Sequence, residues 1–179
     1  MRGVQERGTV ATLTRQVGSK TGRQMSRWGN WPRLATASVV AAAVVLVDQL
    51  TKSWAVSRLS QAPVHVVGTL DFELQRNTGS AFSLFQGDAP VLVVIAVVLI
   101  GALLVLAGRA PTSGRALVLG LILGGALGNL TDRLFRGDHG AVIDFIAFHF
   151  WPTFNVADSC IVVGSVLLVV SLLRGGRPS

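Results

Sequence analysis

Four long apolar runs, at 34–54, 89–106, 116–130 and 156–173, limit what this 179-residue chain can fold into more than any other feature. A helix needs roughly 17–25 predominantly apolar residues to cross the hydrocarbon core of a bilayer. Half of all residues are hydrophobic, and the mean hydropathy is +0.56. That is more apolar surface than one soluble core of this length can bury, so the excess must face lipid. The third run is short. Thr131 and Asp132 are expected in one interface and Arg115 to reach the other, which still leaves a span.

The net charge of +7 invites a nucleic-acid reading, but the placement of the basic residues points to membrane topology. Arg2, Arg7, Arg15, Lys20, Arg23, Arg27 and Arg33 precede the first run, Arg109 and Arg115 fill the second connection, and Arg174 and Arg177 follow the last run. The opposite side holds Lys52, Arg58, Arg76, Arg133 and Arg136, together with every acid except Glu6. The positive-inside rule then makes both termini and the second connection cytoplasmic and the first and third connections external. Residues 1–33 carry no apolar stripe and are expected to be a disordered basic tail, with 34–173 the membrane domain and 174–179 a short cytoplasmic tail. The first run is too long for the core of a cleaved secretory signal. Met1 and Met25 are both acceptable starts.

The connection from Lys52 to Asp88 alternates Leu70, Phe72 and Leu74 with Asp71, Glu73 and Gln75, the period of a half-buried strand. Val64 to Val67 offers a partner across Gly68, and Asn77-Thr78-Gly79-Ser80 is a turn cluster leading into Ala81 to Phe85. The expected fold class is therefore a mainly α membrane protein, four transmembrane helices with a small external β-sheet. Such a sheet is either a lid or a platform for an extended peptide. Gly124 and Gly128 share a helix face and allow a close neighbour. The single cysteine, Cys160, excludes an intramolecular disulfide and reads as packing.

Asp144 and Asp158 lie at the rims of apolar segments, where an ionisable group marks function by default. Pro152 separates them, so one continuous helix does not carry both and their pairing has to be tertiary. Two carboxylates brought close together do not both ionise at neutral pH, which leaves one acid and one base to activate water for peptide hydrolysis. Asn155 shares a face with Asp158 at the start of the fourth run, where a helix N-terminus favours a carboxylate. Asn129, Asp132 and Arg133 form a polar strip at helical spacing, read either as an interfacial cap or as a group that orients substrate or carboxylate.

Five segments in order carry a resemblance to the lipoprotein signal peptidases, also called signal peptidase II. They are Val47-Asp48-Gln49-Leu50-Thr51-Lys52, Asn77-Thr78-Gly79-Ser80-Ala81-Phe82, Gly128-Asn129-Leu130-Thr131-Asp132-Arg133, Val142-Ile143-Asp144-Phe145 and Phe154-Asn155-Val156-Ala157-Asp158. The resemblance implies a multi-pass inner-membrane aspartic endopeptidase with its active site at the outer face. It would remove signal peptides from diacylglyceryl-modified prolipoproteins, cutting before the lipidated cysteine. It also implies a four-helix bundle with an external β-cradle and a mobile surface helix, and no cofactor, metal or obligate protein partner. By position, Asp144 and Asp158 match the family's catalytic aspartates. Asn77, Gly79, Asn129, Arg133 and Asn155 match its substrate-contacting and orienting residues, and Asp48 and Lys52 match positions that support the fold. The link from Phe135 to Gly140 is longer than is usual in the family, with Ala141 in place of a more typical valine or histidine, and makes Asp138 a rival for the first catalytic position. The apolar Val-Ile-Asp-Phe context favours Asp144.

Two other chemistries fit less well. His139, Asp144 and His149 are evenly spaced, but five residues turn a helix by about 140° and put strand residues on opposite faces, so neither element converges them on a metal. A proton-coupled transporter needs polar groups across the bilayer, and the acids here gather at one rim.

Overall fold

The computed structural model describes residues 31–79, 89–137 and 139–175. Almost all of the expected tail, the segment Ala81 to Phe85, Asp138 and residues 176–179 lie outside the described residues. The elements run α1 (Trp31–Leu59), β1 (Val64–Val67), β2 (Leu70–Asn77), α2 (Ala89–Gly108), α3 (Ser113–Phe135), β3 (Val142–Phe148), β4 (Trp151–Phe154) and α4 (Val156–Gly175). Among the described residues there are four helices, and all four are long and apolar enough to cross a membrane.

Each helix contains its expected span and runs beyond it, α1 and α3 the furthest and for local reasons. At the end of α1, Ala55 and Leu59 are one turn apart and bury against Phe145 of β3, which carries the helix five residues past the apolar run. At its start, Pro32 sits in the first turn, where a missing N–H costs nothing. At the end of α3, Arg136 donates its backbone N–H to Asp132 O at 3.1 Å and its Nε to Asp132 Oδ1 at 2.7 Å. Polar residues there have partners, so the helix persists to Phe135. Thr112 caps the other end, accepting from Arg115 N at 3.2 Å.

Helix α3 is the hub because its glycines admit neighbours on two sides. A Cβ on Gly124 would lie 2.6 Å from the Val44 Cβ of α1, and one on Gly128 would lie 2.7 Å from Asp48 Oδ2. Gly125 faces the Ala157 carbonyl of α4 in the same way. This close approach lets short polar side chains of α1, α3 and α4 meet. By contrast, α2 exposes Val94, Val98 and Leu99, the surface a lipid tail would cover.

The strands form one antiparallel sheet in the order β1-β2-β3-β4. Gly68 makes the β1–β2 turn at φ +58°, a conformation that favours glycine. Strands β3 and β4 are not evident in the sequence pattern, since Val142 to Phe145 are all buried and show no alternation. The sheet rests on the end of α1, where Trp54 meets Phe72 edge-on at 5.6 Å and Phe145 at 6.2 Å. A bulge between Phe72 and Gln75 shifts the β2–β3 register so that Gln75 pairs with Asp144. Asn77, two residues on, thereby shares the face of Asp144.

Candidate active site

Asp144 on β3 and Asp158 in the first turn of α4 line the same cavity of about 640 Å³, with Asn77, Gly79 and Arg133 also in its wall. Pro152 falls on the edge strand β4 between them, so the pairing is tertiary, as the sequence requires. Leu92, Val162 and Val163 form an apolar side of the cavity.

Three asparagine amides hold the two carboxylates. Asn77 Nδ2 donates to Asp144 Oδ2 at 2.9 Å, and Asn155 Nδ2 donates to Asp144 Oδ1 at 2.6 Å. Asn129 Nδ2 donates to Asp158 Oδ1 at 2.7 Å. Each amide is oriented by a donor on its own oxygen: Gly79 N on Asn77 at 2.9 Å, Asp158 N on Asn155 at 2.9 Å and Lys52 Nζ on Asn129 at 3.0 Å. With the oxygen occupied, only the NH₂ faces the carboxylate. Gly79, at φ +100°, lets the chain fold back so that its N–H reaches Asn77.

Asn155 also caps α4. Its Oδ1 accepts from Asp158 N while Asp158 Oδ2 accepts from Asn155 N at 3.3 Å, a reciprocal arrangement of the capping-box kind. The capping role and the carboxylate-holding role thus coincide in one fully buried side chain. Asp144 is 1% exposed, and burial pushes its carboxyl up to about 6. The hydrogen bonds from Asn77 and Asn155 pull the other way, while the Asp158 charge adds to the rise.

Behind the asparagines lies a buried ionic cluster. Lys52 Nζ is 2.8 Å from Asp48 Oδ2 and 2.9 Å from Asp132 Oδ2, all three side chains being fully buried. Asp132 Oδ1 accepts from Arg136 Nε and from Gln49 Nε2 at 3.0 Å. Burying such charges is costly unless every donor and acceptor is matched, and here Lys52 uses all three of its donors. Asp132 is therefore an internal partner and not an interfacial cap. Arg133 Nη1 donates to Asn129 O at 3.4 Å, and its buried Nε has no hydrogen-bond partner among the described residues.

The family model described as signal peptidase (SPase) II matches residues 40–174. The chain belongs to the signal peptidase II family. A lipoprotein signal peptidase of Rhodococcus jostii (strain RHA1) is 46% identical over 147 residues, covering 78% of this chain and 73% of that protein. That of Mycobacterium leprae (strain Br4923) is 43% identical over 148 residues, covering 80% and 74%. A solved structure of a bacterial membrane enzyme, determined by the in meso method at 1.9 Å, aligns with a TM-score of 0.70 at 28% identity, covering 78% of this chain and 94% of that one. Together with four apolar helices, membership of the signal peptidase II family makes this chain a multi-pass membrane peptidase.

The nine residues matched to the family's site positions gather in this region, as cavity wall, amide clamp or ionic cluster, and Asp132 joins them in the cluster. Gln49 and Arg136 join the cluster without a site signal of their own in the sequence, although Gln49 lies within the Val47 to Lys52 segment. Nothing in their local pattern announces contacts made across more than eighty residues. His149 turns away from Asp144: its Nε2 lies 2.9 Å from Asp71 Oδ2, on the sheet.

Proposed function

We propose that this chain is an aspartic endopeptidase that removes the signal peptide from diacylglyceryl-modified prolipoproteins, cutting before the lipidated cysteine, with Asp144 and Asp158 as the catalytic pair. The observation that carries this reading is the convergence of the two carboxylates on one cavity, each held by an asparagine amide. An ionised aspartate takes a proton from water, while its protonated partner polarises the scissile carbonyl and later protonates the departing amine. The proton belongs to the pair. The raised Asp144 carboxyl keeps a proton available near neutral pH.

The remaining residues position the substrate. The guanidinium of Arg133, with Nε unpartnered among the described residues, supplies a donor to peptide carbonyls in the cavity. Asn77, Asn129 and Asn155 hold the carboxylates, Gly79 orients Asn77 through its N–H, and Asn77 and Gly79 in the cavity wall flank the peptide, since orientation supplies a large share of the rate. Membrane lipid tails and the substrate's acyl chains meet the apolar wall of Leu92, Val162 and Val163. The basic-residue bias puts both termini in the cytoplasm and this site at the outer face of the inner membrane.

The test is cleavage of a lipid-modified precursor by the purified protein in detergent or liposomes, with Asp158→Asn as the blank. Release of a mature chain beginning at the lipidated cysteine, undiminished by a chelator, is the expected result. Cleavage elsewhere, or inhibition by the chelator, would overturn the reading.

A further inference from the structure

We propose that Lys52 is a positioning residue for the catalytic pair, its ammonium setting both the placement of the two aspartates and the orientation of the amide that holds one of them. The inference rests on the catalytic reading of Asp144 and Asp158 above and adds a cause for their placement.

Three branches leave Lys52, and each ends at the pair. Through Asp48, whose Oδ1 accepts from Ala157 N at 2.9 Å, it grips the residue immediately before Asp158. Through Asp132, whose Oδ2 accepts from Ile143 N at 3.1 Å, it grips the residue immediately before Asp144. Through Asn129 it pins the amide oxygen, so that Nδ2 faces Asp158 Oδ1. One ammonium on α1 therefore ties α3, β3 and α4 together at Ile143 and Ala157, the backbone positions just before those that carry the carboxylates.

A role in stability alone does not account for this arrangement, because a buried ion pair is weak evidence for stability and an apolar replacement of similar volume is often as stable. Lys52 instead meets a requirement of chemistry. A misplacement of about 1 Å can cost roughly 100-fold in rate, even from a residue that touches no substrate. With Lys52 absent, the Asn129 amide oxygen keeps, among the described residues, only the 3.2 Å bond from Asn155 Nδ2, a donor already engaged by Asp144 at 2.6 Å, and loses the charged donor that keeps it turned away from Asp158. Asp48 from α1, Asp132, Arg133 and Arg136 from α3, Asp144 from β3 and Asp158 from α4 are the other charged groups around this point among the described residues.

The experiment compares Lys52→Met with the double variant Asp48→Asn/Lys52→Met. The double variant removes one charge of each sign, leaves Asp132 paired with Arg136, and retains an amide oxygen at position 48 for the Ala157 N–H. Thermal stability in detergent, kcat, KM and the pH profile are measured on a lipid-modified precursor. Lys52→Met should lose kcat by about 100-fold with KM within about threefold, and the acid limb of the rate profile should move to higher pH. The double variant should recover stability but not kcat. Recovery of kcat with stability, failure of the double variant to fold, or loss of rate in proportion to folded fraction would each assign Lys52 to stability alone and overturn the proposal. Asp144→Asn is run alongside, and activity in that variant would overturn the catalytic reading itself, whatever Lys52 does.

Discussion

Replacing Asn155 separates a capping role from a carboxylate-holding role, and the two parts have different pH dependence. In Asn155→Ala the bond from Asp158 N to Asn155 Oδ1 is lost, which costs about 1 kcal/mol for a helix N-cap. The 2.6 Å bond to Asp144 Oδ1 is lost as well, and a hydrogen bond to a charged group contributes about 2 kcal/mol. The 3.2 Å bond from Asn155 Nδ2 to Asn129 Oδ1 is lost too, but that oxygen keeps Lys52 as a donor, so this loss adds little. The sum is about 3 kcal/mol while Asp144 is ionised. The Asp144 part depends on charge. The hydrogen bond from Asn155 lowers the Asp144 carboxyl, so removing it raises that carboxyl further above about 6. An interaction with the ionised form contributes stability at high pH and is lost as pH falls through the folded value.

Destabilisation should therefore be about 3 kcal/mol at pH 8 and close to the cap value of about 1 kcal/mol at pH 5. Asn155→Ser keeps a good cap without an amide, so it should be nearly neutral at pH 5 and lose about 2 kcal/mol at pH 8. Both variants should lose cleavage. Thermal unfolding in detergent at the two pH values, with cleavage of a lipid-modified precursor alongside, reads all of this. Equal destabilisation by Ala and Ser, or a loss independent of pH, would refute the division of roles.

The other expectations are more direct. Asp144→Asn and Asp158→Asn should each insert normally yet lose cleavage by at least roughly 100-fold, measured as kcat, whereas Asp138→Asn should retain most activity; the reverse pattern would move the first catalytic position to the altered link. An unlipidated precursor should be cut far more slowly than its diacylglyceryl form, because each buried methylene contributes about 0.8 kcal/mol to recognition, and equal rates would point to a general membrane-surface protease. Reporters fused after Arg115 or Arg174 should read cytoplasmic and those near Ser80 or Gly140 external, and an internal Gly140 would remove the site from the side where exported precursors arrive.

The spans were legible in the sequence because lipid imposes a length on apolar runs, and β2 because one of its faces is wet. Strand β3 was not, since Val142 to Phe145 are all buried and the alternation that marks a strand is lost. The bulge that places Asn77 beside Asp144 was equally invisible, because a register shift is decided by pairing between strands and leaves no local pattern. Asp48 and Lys52 fall one helical turn apart, so their pairing could have been read from spacing. Their link to Asp132, Asn129 and Arg136 depends on the close packing that Gly124 and Gly128 permit between α1 and α3.

Charge balance connects these parts. Among the described residues, the cluster and cavity wall hold four carboxylates, Asp48, Asp132, Asp144 and Asp158, against three cations, Lys52, Arg133 and Arg136. With every group ionised the region carries one uncompensated negative charge, which is expensive at low dielectric. Lys52 and Arg136 are committed to Asp48 and Asp132, so the excess falls on Asp144 and Asp158, which face Arg133. A single proton on the pair restores neutrality. On the proposed aspartic mechanism the ionic cluster would do more than support the fold: with its own charges paired, it would leave the catalytic carboxylates to carry the single proton from which an aspartic pair begins hydrolysis.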